Sequence, residues 1–360
     1  MSLWPSSFSF YLFSILHVSL HVIRNVMMMK NIKALVWPLF MLSLLLTSCG
    51  VDEDRARFEG KITNINNAEF YLYSEEGAFD GVDTIRIKDG EFVYERKALE
   101  PMLATLLYPN YTQTHVILEP GKVIKMKGDA SKLGEATITG SDQNELLTDF
   151  RLKHFNAQDK TTLIAAEEFV RSHAQTLAAV SVFRRYFTDR KQVHTQTALQ
   201  LLDVLCEAQP KSRVIEYLDD FFRPIFVNGV GSKLPEFKVQ TIDDKTVTNA
   251  DYKDKNLVIA CVGLWQNDSH KFMRQLKKEI DKAGKKWDCL IVSMDFDVKS
   301  LRTHIERDSL DYHVVCDQRA FESPIVRQLG LHYVPSCMVV NAEGTIVQRD
   351  VMKVEDAKIK

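Results

Sequence analysis

The chain has 360 residues, 45% hydrophobic and 26% charged, with a formal net charge of -2 at pH 7. That length accommodates two or three domains with a sizeable core, and the near-neutral balance gives no electrostatic footprint for nucleic acid, which is excluded as a partner. Six cysteines, none in C-x-x-C spacing, exclude a dense disulfide framework.

The first 48 residues read as a signal segment. Lys30 and Lys33 precede an apolar run that ends in Leu46-Thr47-Ser48-Cys49, a charged start, a short apolar stretch and small residues before a cleavage point. The run is shorter than the ~20 residues a membrane span needs. A second apolar patch, residues 8–23, lies upstream of Met27-Met28-Met29. A start codon placed too early accounts for it, an additional hydrophobic anchor being the alternative. Residues 49–56 form a tether whose Asp52-Glu53-Asp54 reads equally as an acidic sorting signal and as a solvated linker.

Residues 57–140 carry short alternating runs, read as strands at 58–62, 69–73, 84–88, 91–95, 114–118 and 123–126. Asp89-Gly90 and Pro120-Gly121 predict two hairpins, because tight hairpin turns need positive φ. An antiparallel sheet folded as a small sandwich is expected. Over 141–228 the period becomes helical, with apolar residues at spacings of three and four. Breaks near Ser172-His173, Asp189-Arg190 and Pro210-Lys211 predict four helices, with Cys206 on a core stripe. Gly229, Gly231 and Ser232 mark a linker.

Residues 229–360 return to alternating strands and helices. Val258 to Val262 is a continuous apolar run, as for a strand covered on both faces, followed by Leu264-Trp265-Gln266-Asn267-Asp268-Ser269-His270 and an amphipathic stretch. The order matches a βαβαββ core closed by a hairpin around Glu343-Gly344, so the fold class is α+β multidomain with a C-terminal α/β domain. Only eight residues, 353–360, follow that hairpin, too few for a stable terminal helix; either the product is truncated or something else covers the sheet.

Three resemblances follow from quoted residues. Leu46-Thr47-Ser48-Cys49 resembles the bacterial lipobox, which implies that Cys49 is lipidated and that the partner there is a membrane. The implied address is the cell envelope of a Gram-negative bacterium, anchored at the outer membrane and facing the periplasm or the surface. The phrases VDTIRIKDGEFVYE, VILEPGKVIKMKGD and ATITGSDQNELLTDF resemble the β-rich domain of unknown function that precedes thioredoxin-like domains in envelope lipoproteins.

Residues 229–360 resemble thioredoxin-like proteins of the TlpA and ResA type, through Leu234-Pro235-Glu236-Phe237, the strand ending at Trp265, Ser293-Met294-Asp295 and Tyr333-Val334-Pro335-Ser336. The family implies a cis-proline at Pro335, with Val334 presenting its backbone to an extended peptide. It also implies W-C-x-x-C, yet Gln266 and Ser269 stand where the two thiols belong. A carboxamide does not ionise and Ser269 has no adjacent base, so neither replaces a thiolate. The peroxidatic cysteine of a peroxiredoxin would fall at the same place.

Three readings of Trp265-Gln266-Asn267-Asp268-Ser269 remain open. Asn267, Asp268 and Ser269 are favoured N-cap residues and supply a helix cap. Alternatively the site binds an extended peptide or an envelope protein between Trp265 and Val334-Pro335. Lastly, displaced thiols act, the candidates being Cys316 and the pair Cys261 and Cys337, which neighbouring strands bring together. Asp268, His270, Asp295 and Asp297 match no metal spacing, so no metal and no cofactor is expected. The function expected is non-catalytic binding on a lipid-anchored envelope protein, the alternative being a thiol-disulfide oxidoreductase.

Overall fold

The computed structural model describes residues 51–155, 159–188 and 195–360. Cys49, the signal segment and the expected break at Asp189-Arg190 lie outside the described residues. From Glu53 onward the chain forms one unit. Among the described residues no helix is long and apolar enough to cross a membrane.

Alternation builds the first sheet. In β2 (Asn67–Tyr73) and β3 (Val82–Lys88) it points Phe70, Leu72, Ile85 and Ile87 inward, against Phe58 of β1 (Arg55–Thr63) and Phe92 of β4 (Glu91–Lys97). Asp89 and Gly90 both take positive φ and turn β3 into β4. A Cβ on Gly90 would sit 2.6 Å from the Ile62 carbonyl oxygen, so only glycine fits. The sheet continues through β5 (Met102–Leu107), β6 (Gln113–Leu118), β7 (Val123–Asp129) and β8 (Thr137–Thr139), in the order β6-β5-β2-β3-β4-β1-β7-β8.

Two expectations are corrected here. Instead of two sheets there is one continuous sheet, antiparallel except for the parallel pair β1–β7. Pro120-Gly121 does not close a hairpin, because β6 and β7 stand far apart in that order. The Gly121 amide donates to Arg55 O and the Arg57 amide to Lys122 O, so β1 captures the turn and takes β7 as its neighbour. β5 escaped the reading because it lacks alternation: Met102, Ala104 and Leu106 face the β core while Leu103 enters the helical core.

Five helices follow among the described residues, one more than expected: α1 (Asp142–Lys153), α2 (Asp159–Ser172), α3 (Leu177–Phe183), α4 (Thr195–Ala208) and α5 (Arg213–Val227). The extra break falls after Lys153. α1 starts at Ser141, whose hydroxyl accepts the Asn144 amide, and the Asn144 carboxamide then bonds both the N–H and the C=O of Ile117 on edge strand β6. Sheet and bundle are also tied by Arg184, which pairs with Glu75 and Glu76, and by Ser181 Oγ, 2.7 Å from His115 Nδ1.

After the short ribbon β9 (Lys238–Gln240) and β10 (Thr246–Thr248) comes a five-stranded sheet: β11 (Asn256–Val262), β12 (Trp287–Ser293), β13 (His313–Val315), β14 (Ser336–Val340) and β15 (Ile346–Val351). The order is β13-β12-β11-β14-β15; β11 to β13 are parallel, and β14 and β15 are antiparallel. One face packs α6 (Asn267–Ala283) and α7 (Val298–Arg307), the other α8 (Pro324–Leu329). Residues after β15 form a single 3₁₀ turn, Val354–Asp356. Val354 is buried on the α6 face and the Trp287 indole donates to Lys360 O at 3.0 Å, so these last residues cover part of that face without a helix.

α5 leads straight into this domain. Gly330, left-handed at the end of α8, lies so close to α5 that a Cβ would meet Ile225 N at 2.7 Å. The Asn228 carboxamide donates to Gln328 O across the same seam.

Candidate functional site

The carboxyl ends of β11, β12 and β13 converge on one edge, the usual place for a site on parallel strands. Three residues past β11, Trp265 is 60% exposed, and its indole folds back over Gly263, where a Cβ would meet Nε1 at 2.7 Å. Phe296 and Tyr333 stand exposed beyond β12 and before β14. The β11–β14 register pairs Cys261 with Ser336, which brings the Tyr333-Val334-Pro335 loop alongside Gly263 to Trp265.

Asp295 builds the floor. Its carboxylate accepts the Leu264 amide at 2.9 and 3.1 Å and the Ser293 hydroxyl at 2.6 Å, while its carbonyl accepts the Cys316 thiol. His270 donates from Nε2 to Leu264 O at 3.2 Å, so the loop before α6 is gripped from both sides. Among the described residues His270 Nδ1 is buried without a hydrogen-bond partner, its ring 4.9 Å from that of His304. Gln318 was not singled out from the sequence; its carboxamide reaches the Phe296 carbonyl and fastens the β13 end to the β12 end.

The capping expectation is corrected by this geometry. The N-cap of α6 is Gln266, whose side chain makes no capping bond, and Asn267, Asp268 and Ser269 occupy the first helical turn. Ser269 is fully buried and its hydroxyl accepts the Gly263 amide at 3.2 Å, so it braces the preceding loop. Asp268 and Asn267 are exposed, the former placing a carboxylate at the positive end of the helix dipole. Trp265, Gln266 and Ser269 thus stand in and just before the first turn of α6, and none of them carries a thiol.

The Val334-Pro335 peptide bond is cis. Among the described residues nothing bonds the Val334 main-chain N–H or C=O, and the Val334 side chain is half-buried against the core. A free donor and acceptor at that spacing match the pairing needs of an added strand.

The pairing expected of Cys261 and Cys337 is also overturned. Cys337 stands opposite Ala260, one position off, so the two thiols point to opposite faces of the sheet. Cys337 shares its face with Cys289 instead. All five described cysteines are free. Burial pushes the Cys261 and Cys337 thiols up to about 12 and that of Cys206 to about 11, and raises Cys289 and Cys316 as well. Each is a protonated, weakly nucleophilic thiol at neutral pH. Among the described residues no cluster of three His, Cys, Asp or Glu side chains could hold a metal ion.

Comparison with known proteins divides the chain the same way. Residues 56–147 match the family model for a domain of unknown function, DUF4369, and residues 230–349 match the AhpC/TSA family. No curated protein matches. Among solved structures, the C-terminal domain of a Bacteroides thetaiotaomicron protein designated a thiol-disulfide oxidoreductase is 27% identical, covers 34% of this chain and 87% of its own, and has a TM-score of 0.31. A thiol-disulfide oxidoreductase from Bacteroides fragilis is 22% identical over 33% of this chain and 90% of its own, at a TM-score of 0.30. A thioredoxin-like protein from Bacteroides caccae is 13% identical but covers 56% of this chain and 83% of its own, at a TM-score of 0.40. With the element order and these two family matches, the chain is a β-rich domain, a helical middle and a thioredoxin-like α/β domain.

Proposed function

We propose that this is a lipid-anchored envelope protein whose thioredoxin-like domain binds an extended peptide without redox turnover. The observation that carries this reading is the Val334 main chain, unpaired among the described residues, beside the exposed Trp265 on a loop edge that Asp295 holds in place. Backbone pairing supplies affinity for any extended segment, and the indole supplies an apolar wall. Neither needs sulfur. Cys49, as the lipidated first residue of the mature chain, accounts for the address.

Thiol-disulfide exchange, the activity named for the Bacteroides proteins, needs a thiolate at this edge. Cys316 is the nearest candidate, and its thiol is half-buried, donates to Asp295 O and is raised in pKa. The two readings part in one experiment on the full chain in nanodiscs, with insulin as disulfide substrate and an acetylated four-residue peptide as ligand. We expect no insulin reduction above the reductant alone, and peptide binding that Trp265→Ala abolishes. Turnover that survives Cys261→Ala, Cys316→Ala and Cys337→Ala together would sink the chemical account; peptide binding unaltered by Trp265→Ala would sink the groove.

A further inference from the structure

The seam between α6 and α7 carries two imidazoles, each of which uses one ring nitrogen and leaves the other. The helices run side by side there, His270 against His304 and, one turn further on, Arg274 against Asp308 at 3.5 Å. His270 Nε2 lies 3.2 Å from Leu264 O, and His304 Nδ1 lies 2.9 Å from Ser300 O. A carbonyl oxygen only accepts, so these two nitrogens carry the ring protons, and the neutral rings keep their lone pairs on His270 Nδ1 and His304 Nε2. Among the described residues His270 Nδ1 is buried with no donor to meet its lone pair, and no hydrogen bond reaches His304 Nε2. A buried acceptor left in that state costs the desolvation of its lone pair unless something electron-poor meets it.

The spacing suits a metal ion. The ring centres are 4.9 Å apart, with planes 33° from parallel. An ion ~2.0–2.1 Å from one nitrogen of each ring, at a near-tetrahedral angle, puts the ring centres roughly 5 Å apart. Metal-ligating histidines also give their far N–H to a carbonyl or carboxylate, which fixes the tautomer and the ring orientation. Both rings here do so, and both carbonyls belong to anchored backbone. The Leu264 amide is held by the Asp295 carboxylate, and Asp297 caps α7 by accepting the Lys299 and Ser300 amides at 3.0 and 3.1 Å. The nearest charge along the seam, Arg274, is met by Asp308.

We infer that His270 Nδ1 and His304 Nε2 bind one divalent transition-metal ion between α6 and α7. Imidazole nitrogen selects zinc, nickel, cobalt or copper, whereas calcium and magnesium take oxygen. Among the described residues no third His, Cys, Asp or Glu completes the cluster, so water fills the other positions and the ion exchanges freely. Bound there, it ties α7 to the first turn of α6, from which His270 grips the loop that carries Trp265. The inference is independent of the peptide-binding reading and involves no redox step.

The test uses the full chain, without an affinity tag, in zwitterionic nanodiscs, with empty nanodiscs as blank and zinc(II) and cobalt(II) as probes. Equilibrium dialysis should find one zinc site per chain, which His270→Gln and His304→Gln each weaken about tenfold or more. Cobalt(II) should give visible ligand-field bands with no sulfur charge-transfer band, which separates imidazole from thiolate ligation. Zinc should slow amide exchange in the first turn of α6 and in α7 of the unaltered chain, and in neither variant. His304→Gln leaves the His270 bond to Leu264 in place, so it tests the site even where His270→Gln loosens the loop. Zinc affinity unaltered by both substitutions would overturn the inference, as would sulfur bands from cobalt. Several weak equivalents taken up equally by all three proteins would be adventitious binding and would overturn it too. Absence of binding would do the same, leaving water as the donor to both rings.

Discussion

Arg349→Ala should uncouple the helical middle from the thioredoxin-like domain. Arg349 projects from β15 with its side chain only 7% exposed, and donates from Nη1 to Ile225 O at 2.9 Å and Asn228 O at 2.8 Å, from Nη2 to Gly330 O at 2.7 Å, and from Nε to Asp350 at 2.9 Å. The first two carbonyls belong to the end of α5, where the helix dipole favours a cation. Removing one partner of a buried charged network costs about 3–5 kcal/mol, and Asp350 is exposed enough to rehydrate, which puts the loss near the lower end, about 3 kcal/mol. That equals roughly a hundredfold in a local opening equilibrium. Amide exchange read by mass spectrometry on the full chain should therefore accelerate about a hundredfold in the last turn of α5 and in the loop from Gly330 to Val334, with little change in β1 to β8. Arg349→Lys, with one ammonium in place of the fork, should fall between. Exchange accelerated less than threefold in Arg349→Ala would refute the reasoning.

Acid should weaken the seam between the β sheet and the helices. Burial, helped by the Arg184 charge, holds the His115 imidazole down at about 4, with Glu75 opposing and Arg185 adding to the shift. Between pH 6.5 and 4 the unfolded chain binds this proton and the folded chain does not, so stability is intact above that window and falls as pH drops through it. The difference in urea stability between pH 7 and pH 4.5 should shrink by about 2 kcal/mol in His115→Gln; an unchanged difference would remove His115 from the account. Thiol labelling tests the cysteines: at pH 7.5 iodoacetamide should modify Cys206, Cys261, Cys289, Cys316 and Cys337 of the native chain at least tenfold more slowly than a free cysteine peptide. One site labelled at the free rate would reopen displaced redox chemistry.

What the linear chain determined by itself is local. Alternation in 84–95 around Asp89-Gly90 dictated a hairpin because only positive φ closes so tight a turn, and the apolar run before Trp265 dictated a strand covered on both faces. That Gln266 and Ser269, and no cysteine, stand at the start of α6 is likewise a fact of the residues themselves. Everything that depended on which segments meet was decided by tertiary structure. Pro120-Gly121 looks like a hairpin turn in sequence, and it became a crossover because β1 offered its amide and carbonyl to the turn. Ser269 looks like a helix cap, and it braces Gly263 because burial turned its hydroxyl inward. Cys261 and Cys337 are one register step from facing each other, and a strand's period of two sends their thiols to opposite faces. The seam between α5 and the loop after α8 has no local signature at all: Phe221 meets the His332 ring because Arg349 and Gly330 draw α5 against that loop. Period and turn chemistry act over a few residues, whereas register, strand order and docking are settled by which surfaces bury best together.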